Sequence, residues 1–429
     1  MAVSSQHFFQ TPKANNICVT GLALTLMGVT AIAQAATFEV TTSHDFVDLN
    51  LADGSCSGEP ANPGCSLRAA IQNANSSAGL DVVIVPSGVY ALTLSGYNED
   101  DAQTGDLDVR DTLMIQGQGS TQPIIDGEYR DRVFDIHSSP TATTKLIIQN
   151  LTIQNGIASF DMPPNGGGIL VREHSLLRAS RCLLQSNGAQ FGGAISAREG
   201  SYVELSQCHL AGNWIYGVEG FDITGGGTAL HSHRSSVVIN QSSFVHNGSL
   251  FSGSVIYTDF GHLSIENSTI SNNAGTGVYP ESSNVSLRNT TIANQTGYGF
   301  RAYAPTPMVV VTMKNSIITN SGMADCDFSA AAQGDLLGPN LDSDGSCALD
   351  AASGGLSMLD PMLDSLNYTS YGVAYRLPSL TSPAIDSASL LPLDSEWAAC
   401  TWVDQLQQTR NRDGDGDGDA RCDLGAIER

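Results

Sequence analysis

Ile265-Glu266-Asn267-Ser268-Thr269-Ile270-Ser271-Asn272-Asn273 is one copy of a pattern that fills the middle of the chain. Related stretches stand at 148–155, 179–187, 205–213, 239–247, 287–295 and 313–321. Each reads roughly apolar-x-polar-small-x-apolar-x-x-Asn. The second apolar residues, Ile153, Leu184, Leu210, Phe244, Ile270, Ile292 and Ile318, follow one another at 31, 26, 34, 26, 22 and 26 residues. A period near 26 that tolerates insertions is the signature of a solenoid. Short alternating runs such as Val285-Ser286-Leu287-Arg288 have the period of two of strands, and no run of ten or more has helical spacing in this region. Glycine pairs precede the next strand, as in Gly166-Gly167-Gly168, Gly192-Gly193 and Gly226-Gly227, where the backbone must bend or coils must approach. Each repeat thus offers three short strands and three turns, one coil of a right-handed parallel β-helix in an all-β fold.

Positions within the repeat carry further expectations. Asn267, Asn289 and Asn315 fall at one bend between strands, where asparagine tolerates the left-handed conformation. Their stacked amides are expected to bond along the solenoid. The next residue, Leu151, Cys182, Cys208, Ser242, Ser268, Thr290 or Ser316, shares a face with the apolar anchor and should point inward. A solenoid must cap its ends. Residues 66–75 suit a lid helix, with Ser66 as N-cap and Leu67, Ala70, Ile71 and Ala74 on one stripe.

The chain divides on this reading into a signal peptide at 1–35, an N-terminal cap at 36–80, the β-helix at 81–325 and a small C-terminal module at 326–429. Lys13, an apolar run over 17–33 and Ala33-Gln34-Ala35 have the order of an export signal, with cleavage before Ala36. Cys18 leaves with it. The eight remaining cysteines read as disulfides of an exported protein. Neighbour pairing gives Cys56–Cys65, Cys182–Cys208, Cys326–Cys347 and Cys400–Cys422, and the absence of a CxxC pair argues against a zinc or redox site. There are 43 Asp and Glu against 19 Lys and Arg, a net charge of −24. Such a surface repels phosphate backbones and anionic lipid, so nucleic-acid binding and polybasic membrane attachment are excluded as partners. No other stretch approaches a transmembrane span.

The sequence Cys65-Ser66-Leu67-Arg68-Ala69-Ala70-Ile71 resembles the CSLREA motif that opens a family of exported β-helix proteins, with Ala69 in place of the motif's Glu. Tyr90-Ala91-Leu92-Thr93-Leu94, Gly105-Asp106-Leu107-Asp108 and Asp131-Arg132-Val133-Phe134 are similar to blocks that follow it in such proteins. Ser382-Pro383-Ala384-Ile385-Asp386, Asp404-Gln405 and 422–428 resemble the choice-of-anchor C-terminal domain of the same group. That domain usually has Asp-Gln-Arg-Gly; here Leu406-Gln407 follow Asp404-Gln405. Phe191-Gly192-Gly193-Ala194-Ile195 and Phe244-Val245-His246-Asn247 look like the GGAI and FxxN repeats of polymorphic outer-membrane proteins, which are surface adhesins. The resemblance implies the fold, export and a place in the medium, the periplasm or on the cell surface, and it implies no settled chemistry. The chain ends at Arg429 without the sorting segment common in that family, so release is expected rather than covalent anchoring.

Three sets of residues are candidates for function. Asp413, Asp415, Asp417 and Asp419 alternate with glycine and offer oxygen ligands for a structural Ca²⁺; the twelfth position is Leu424, so a complete EF-hand loop is rejected. Parallel β-helices also host pectate lyases and polygalacturonases. Glu173, Glu199, His233 and Asp259, in turns after the glycine-rich strands, are the catalytic candidates for a polysaccharide lyase or hydrolase. Phe160, Trp214, Tyr216 and Phe221, on two long insertions, are candidates to stack sugar rings or contact a protein. A secreted or cell-surface scaffold that binds glycans or proteins is the first expectation, and an enzyme of the pectate-lyase-like fold the second.

Overall fold

Three parallel sheets wind in sequence order around one axis. Each coil adds one strand to the first sheet, then the second, then the third. Among the described residues the first sheet runs from Thr37–Glu39 to Ala332–Asp335, the second from Val89–Ala91 to Leu341–Asp342, and the third from Leu107–Val109 to Cys326–Phe328. The computed structural model describes residues 35–429 except 59–63, 98, 140–142, 159–163, 218–225, 249–252, 305–308, 329–331, 337, 397–398 and 419. Residues 1–34 of the expected signal peptide therefore lie outside the described residues. This is the right-handed parallel β-helix that the repeat implies, with one α-helix among the described residues, Leu67–Ser76.

The repeat alignment is the strand register. Ile153, Leu184, Leu210, Phe244, Ile270, Ile292 and Ile318 pair one to the next along the second sheet, all buried. In-register pairing puts anchor over anchor at roughly the 4.8 Å separation of neighbouring strands, so the core is continuous from coil to coil. The bend between first and second sheets is left-handed at Arg181, Gln207, Gln241, Asn267, Asn289 and Asn315, with φ from 46° to 56°. Gly192 sits at φ 69°, and a Cβ there would lie 2.2 Å from the Ile195 carbonyl oxygen, so this bend needs glycine.

Two expectations are corrected. The amide ladder is built by the asparagine that ends the repeat and not by the bend asparagine. Asn187 Nδ2 donates to Asn213, Asn213 to Asn247, Asn247 to Asn273, and Asn273 to Gln295, at 3.0 to 3.1 Å. These side chains point into the coil, where an unpaired amide would be costly. The bend asparagines face outward and bind the C-terminal segment. Second, Cys182 and Cys208 are free buried thiols. They do stack in adjacent coils, but in-register Cβ atoms about 4.8 Å apart, with parallel bonds, exceed the ~3.8 Å that a disulfide favours. Each thiol donates to a carbonyl instead, Cys182 to Ser180 at 3.3 Å and Cys208 to Ala179 at 3.4 Å. The other three disulfides form as paired from sequence.

The cap helix closes one end. Ser66 Oγ accepts the Ala69 amide, and Leu67, Ala70, Ile71 and Ala74 are buried. Arg68 is fully buried; it pairs with Asp45 and donates to the carbonyls of Ala102, Gly105 and Asp106, tying the cap to the loop before the third sheet. Residues after the last coil run back over the outer face of the second sheet. Asn267 accepts from Thr401 and Arg410, Asn315 accepts from the Ser389 amide, and Thr291 accepts from the Ala426 amide. Gln405 donates to the Ser242 and Ala374 carbonyls and accepts from Thr269, so the Asp404-Gln405 pair docks the segment even with Leu406-Gln407 behind it. The described residues belong to one compact unit, and none of their helices is long and apolar enough to cross a membrane.

Candidate functional site

With the second sheet covered from His209–Ala211 onward, two outer faces remain along those coils. On the first, a shallow groove of about 380 Å³ is lined by Val238, His262, Ser264, Ser286 and Thr312. It gathers no acid or base apart from His262. The third sheet is different. Period-two alternation sends every other side chain inward to the core and projects two parallel rows of side chains outward.

The first row is Asp108, Asp135, Leu170, Ser196, His231, Tyr257 and Tyr279, each in register with the next. His231 stacks on Tyr257 with ring centroids 5.5 Å apart, Tyr257 meets Tyr279 edge-on at 5.5 Å, and Phe191 tilts over His231 at 5.2 Å. Arg301 lies over both Tyr279 and Tyr298, at 5.4 and 5.2 Å, and pairs with Asp327. Burial pushes the His231 imidazole down to about 3, with Arg198 and His233 adding to the effect, so the ring is neutral. The Tyr257 hydroxyl donates to Glu281 at 2.6 Å; burial, then that carboxylate, raises its pKa.

The second row, His137, Arg172, Arg198, His233, Asp259 and Glu281, lies at the strand ends. His233 Nδ1 and Asp259 share a 2.6 Å hydrogen bond, while His233 Nε2 lies 3.9 Å from Glu199. Burial raises the Asp259 carboxyl, and the bond to His233 opposes it. At the cap end the acids are saturated. Asp135 holds Arg172 through two oxygens at 2.8 and 2.9 Å and Arg132 at 3.0 Å; burial opposes its ionisation, but the two guanidiniums hold it below the usual carboxylate range. Asp106 is raised well above that range, first by burial. Asp108 bonds His137 at 2.6 Å.

The structure thus brings together Glu199, His233 and Asp259, three of the four catalytic candidates. Glu173 stands exposed in a neighbouring turn, in no ion pair among the described residues. Trp214 and Tyr216 lie with rings 5.8 Å apart, half-buried. The Tyr216 hydroxyl bonds the Ala158 carbonyl, and burial pushes it up to about 12. Phe160 and Phe221 lie outside the described residues. Sequence reasoning missed Tyr279, Glu281 and Arg301; continuing the register from His231 through Tyr257 would have found them.

Two groups of the described residues have ligand atoms within 4.8 Å of one another, as a metal site needs. Asp100, Asp108 and His137 form one, but Arg172 stands 3.6 Å from Asp100 and supplies positive charge already. The other joins Asp413 and Asp415 to Asp386, which the sequence reading had not placed with them. Its all-oxygen donor set fits a hard cation. Asp413 also accepts the Gly416 and Gly418 amides, closing the loop. Asp417 is not in the group, and Asp419 lies outside the described residues.

A family model described as right handed beta helix region matches residues 218–337. No curated protein matches the chain. Among solved structures, the Dettilon tailspike protein is similar at 11% identity and a TM-score of 0.32, covering 71% of this chain and 61% of that one. A PL6 family alginate lyase, AlyGC, is similar at 10% identity and a TM-score of 0.22, over 70% of this chain and 53% of that one. A mannuronic acid specific polysaccharide family 6 lyase from human gut microbiota is similar at 10% identity and a TM-score of 0.20, over 65% and 86%. The chain spans less than two thirds of the length of the first two.

Proposed function

We propose that this chain is an exported β-helix scaffold of the CSLREA and choice-of-anchor group, with adhesin-like GGAI and FxxN repeats, that binds glycans along the outer face of its third sheet. The observation that supports this most is the row from Ser196 through His231, Tyr257 and Tyr279 to Arg301. It sets aromatic rings and hydrogen-bonding groups at one-coil intervals on one face. Sugars are held by ring stacking together with polar groups at their edges. Half-buried Phe191, Tyr279 and Tyr298 supply the rings, and the second row supplies the polar edge. Trp214 and Tyr216 would add a second pair of rings for the ligand. Three disulfides suit an oxidising compartment. In this reading Asp386, Asp413 and Asp415 hold a structural Ca²⁺. The test is affinity electrophoresis of the full chain through gels containing neutral or acidic polysaccharides. Retardation that is lost in Tyr279→Ala supports the reading; unretarded migration in every gel refutes it.

A second reading, catalysis, draws on one observation. Asp259 holds His233 through Nδ1 and leaves Nε2 facing outward, the arrangement of an oriented general base. A lyase or hydrolase using His233, with Glu199 beside it, would turn over the polysaccharide that the row binds.

A further inference from the structure

Arg198 occupies an unusual place in so acidic a protein. The chain carries 43 carboxylates against 19 Lys and Arg. The other arginines along this face, Arg132, Arg172, Arg234 and Arg301, each lie within 4.0 Å of one. Arg198 has no such partner among the described residues; its one hydrogen bond is from Nη1 to Asn165 Oδ1, at 3.4 Å. It is half-buried at the end of Ile195–Ala197, in the middle of the face.

The atoms around it are also unmet. Ser196 precedes it by two residues, so both side chains leave the strand on the same side. Ser196 is in register with His231. Ser196 Oγ and His231 Nδ1 are both buried with no hydrogen-bond partner, on residues 0% and 7% exposed. Buried polar atoms are nearly always satisfied, and each one left over is destabilising. Two on adjacent strands beside an unpaired guanidinium mark a place where a ligand's polar groups would enter. The acids that face this spot are occupied: Asp259 by His233, and Glu199 by His233 and Arg234, each at 3.9 Å. Asp259 keeps one unpartnered oxygen, Oδ1, which disfavours an anion on its own side of the row. An entering carboxylate is thereby directed toward Ser196 and Arg198.

We infer that Arg198, Ser196 and His231 form a carboxylate-binding subsite, so that the glycan bound on this face is a polyuronate. The inference rests on the glycan-binding reading above and narrows its ligand class. Guanidinium meets carboxylate through two parallel hydrogen bonds, and the neighbouring hydroxyl and imidazole complete the contact.

The test uses the full chain and two polymers, polygalacturonate and alginate, each in native form and with its carboxyl groups reduced to alcohols. Binding is measured by isothermal titration at 0.15 M salt. For at least one polymer the native form should bind at least about tenfold more tightly than its reduced form, as for a charge-assisted hydrogen bond of about 1.5–3 kcal/mol. Arg198→Gln should abolish that preference, so that native and reduced forms bind the variant equally. Arg178→Gln, on the first sheet and paired with Glu204, should keep the preference. Equal binding of native and reduced polymers, or a preference that survives Arg198→Gln, overturns the subsite and leaves glycan binding standing. Binding of no polymer in any form overturns both.

Discussion

Replacing Asn213 by alanine tests what holds one coil to the next. Asn213 is fully buried, and its side chain makes four hydrogen bonds. It accepts from the Asn187 amide at 3.1 Å and from Asn187 Nδ2 at 3.0 Å, and donates to the Leu184 carbonyl at 2.9 Å and to Asn247 at 3.0 Å. At roughly 1 kcal/mol net for each, the loss is about 4 kcal/mol. The stranded Asn187 amide adds a further ~1 kcal/mol, because the substituted coil offers it no acceptor. Asn247 still accepts the backbone amide of residue 213, so the ladder is cut at one rung only. With an unfolding entropy near 0.8 kcal/mol/K for a chain of about 400 residues, the summed loss of about 5 kcal/mol lowers Tm by about 6 °C. A solenoid that melts in smaller units shows a larger shift. Differential scanning calorimetry of Asn213→Ala, with exposed Glu173→Gln as control, measures it. A shift below about 1 °C would refute the claim that the buried amide row carries coil-to-coil stability.

Four further outcomes follow from the same geometry. Arg410→Met should release the C-terminal segment. Arg410 and Glu428 are both fully buried and 3.3 Å apart. Leaving the carboxylate unpaired costs about 3–5 kcal/mol, and limited proteolysis should cleave after residue 342 faster than in the wild type. The Asp423 carboxyl is pushed up to about 7 by burial, then by Glu428 and Asp386. A raised folded-state pKa means stability is full below pH 4 and falls as pH rises toward 7. Asp423→Asn should flatten the pH dependence of Tm over that window, and an unchanged slope would assign it to other buried acids. Millimolar Ca²⁺ should raise Tm reversibly, with the gain lost on chelation and in Asp415→Asn; a gain that survives the substitution places the ion elsewhere. Polyuronate turnover, followed by the absorbance of unsaturated product or by reducing ends, should vanish in His233→Ala if the oriented imidazole is a base. Undetectable turnover by the wild type would leave the face a binding surface.

Much of this fold is legible because a β-helix repeats one environment. The anchor series from Ile153 to Ile318 gives the register directly, since each anchor sits over the last. The cap was legible for a local reason: Ser66 and a helical stripe suffice to place it. Cys182 and Cys208 misled because stacking was right but parallel Cβ bonds oppose a disulfide, a matter of direction that spacing does not carry. The bend asparagines misled in a related way. Their left-handed backbone was readable, but their partners Thr401, Arg410 and Ser389 lie up to 143 residues away in sequence. The site was half legible. Glu199, His233 and Asp259 come from turns that align with the glycine pairs, whereas Tyr279 and Arg301 follow no shared motif and emerge only from the strand register.

The claim that the outer face of the third sheet is the ligand surface is tested most directly by oxidative side-chain footprinting with and without polygalacturonate and alginate. Phe191, His233, Tyr279 and Tyr298 should lose reactivity together on binding, while His262 on the first sheet and Tyr368 and Trp402 on the C-terminal segment keep theirs. Protection of His262, Tyr368 or Trp402, with the four third-sheet residues unchanged, would contradict it.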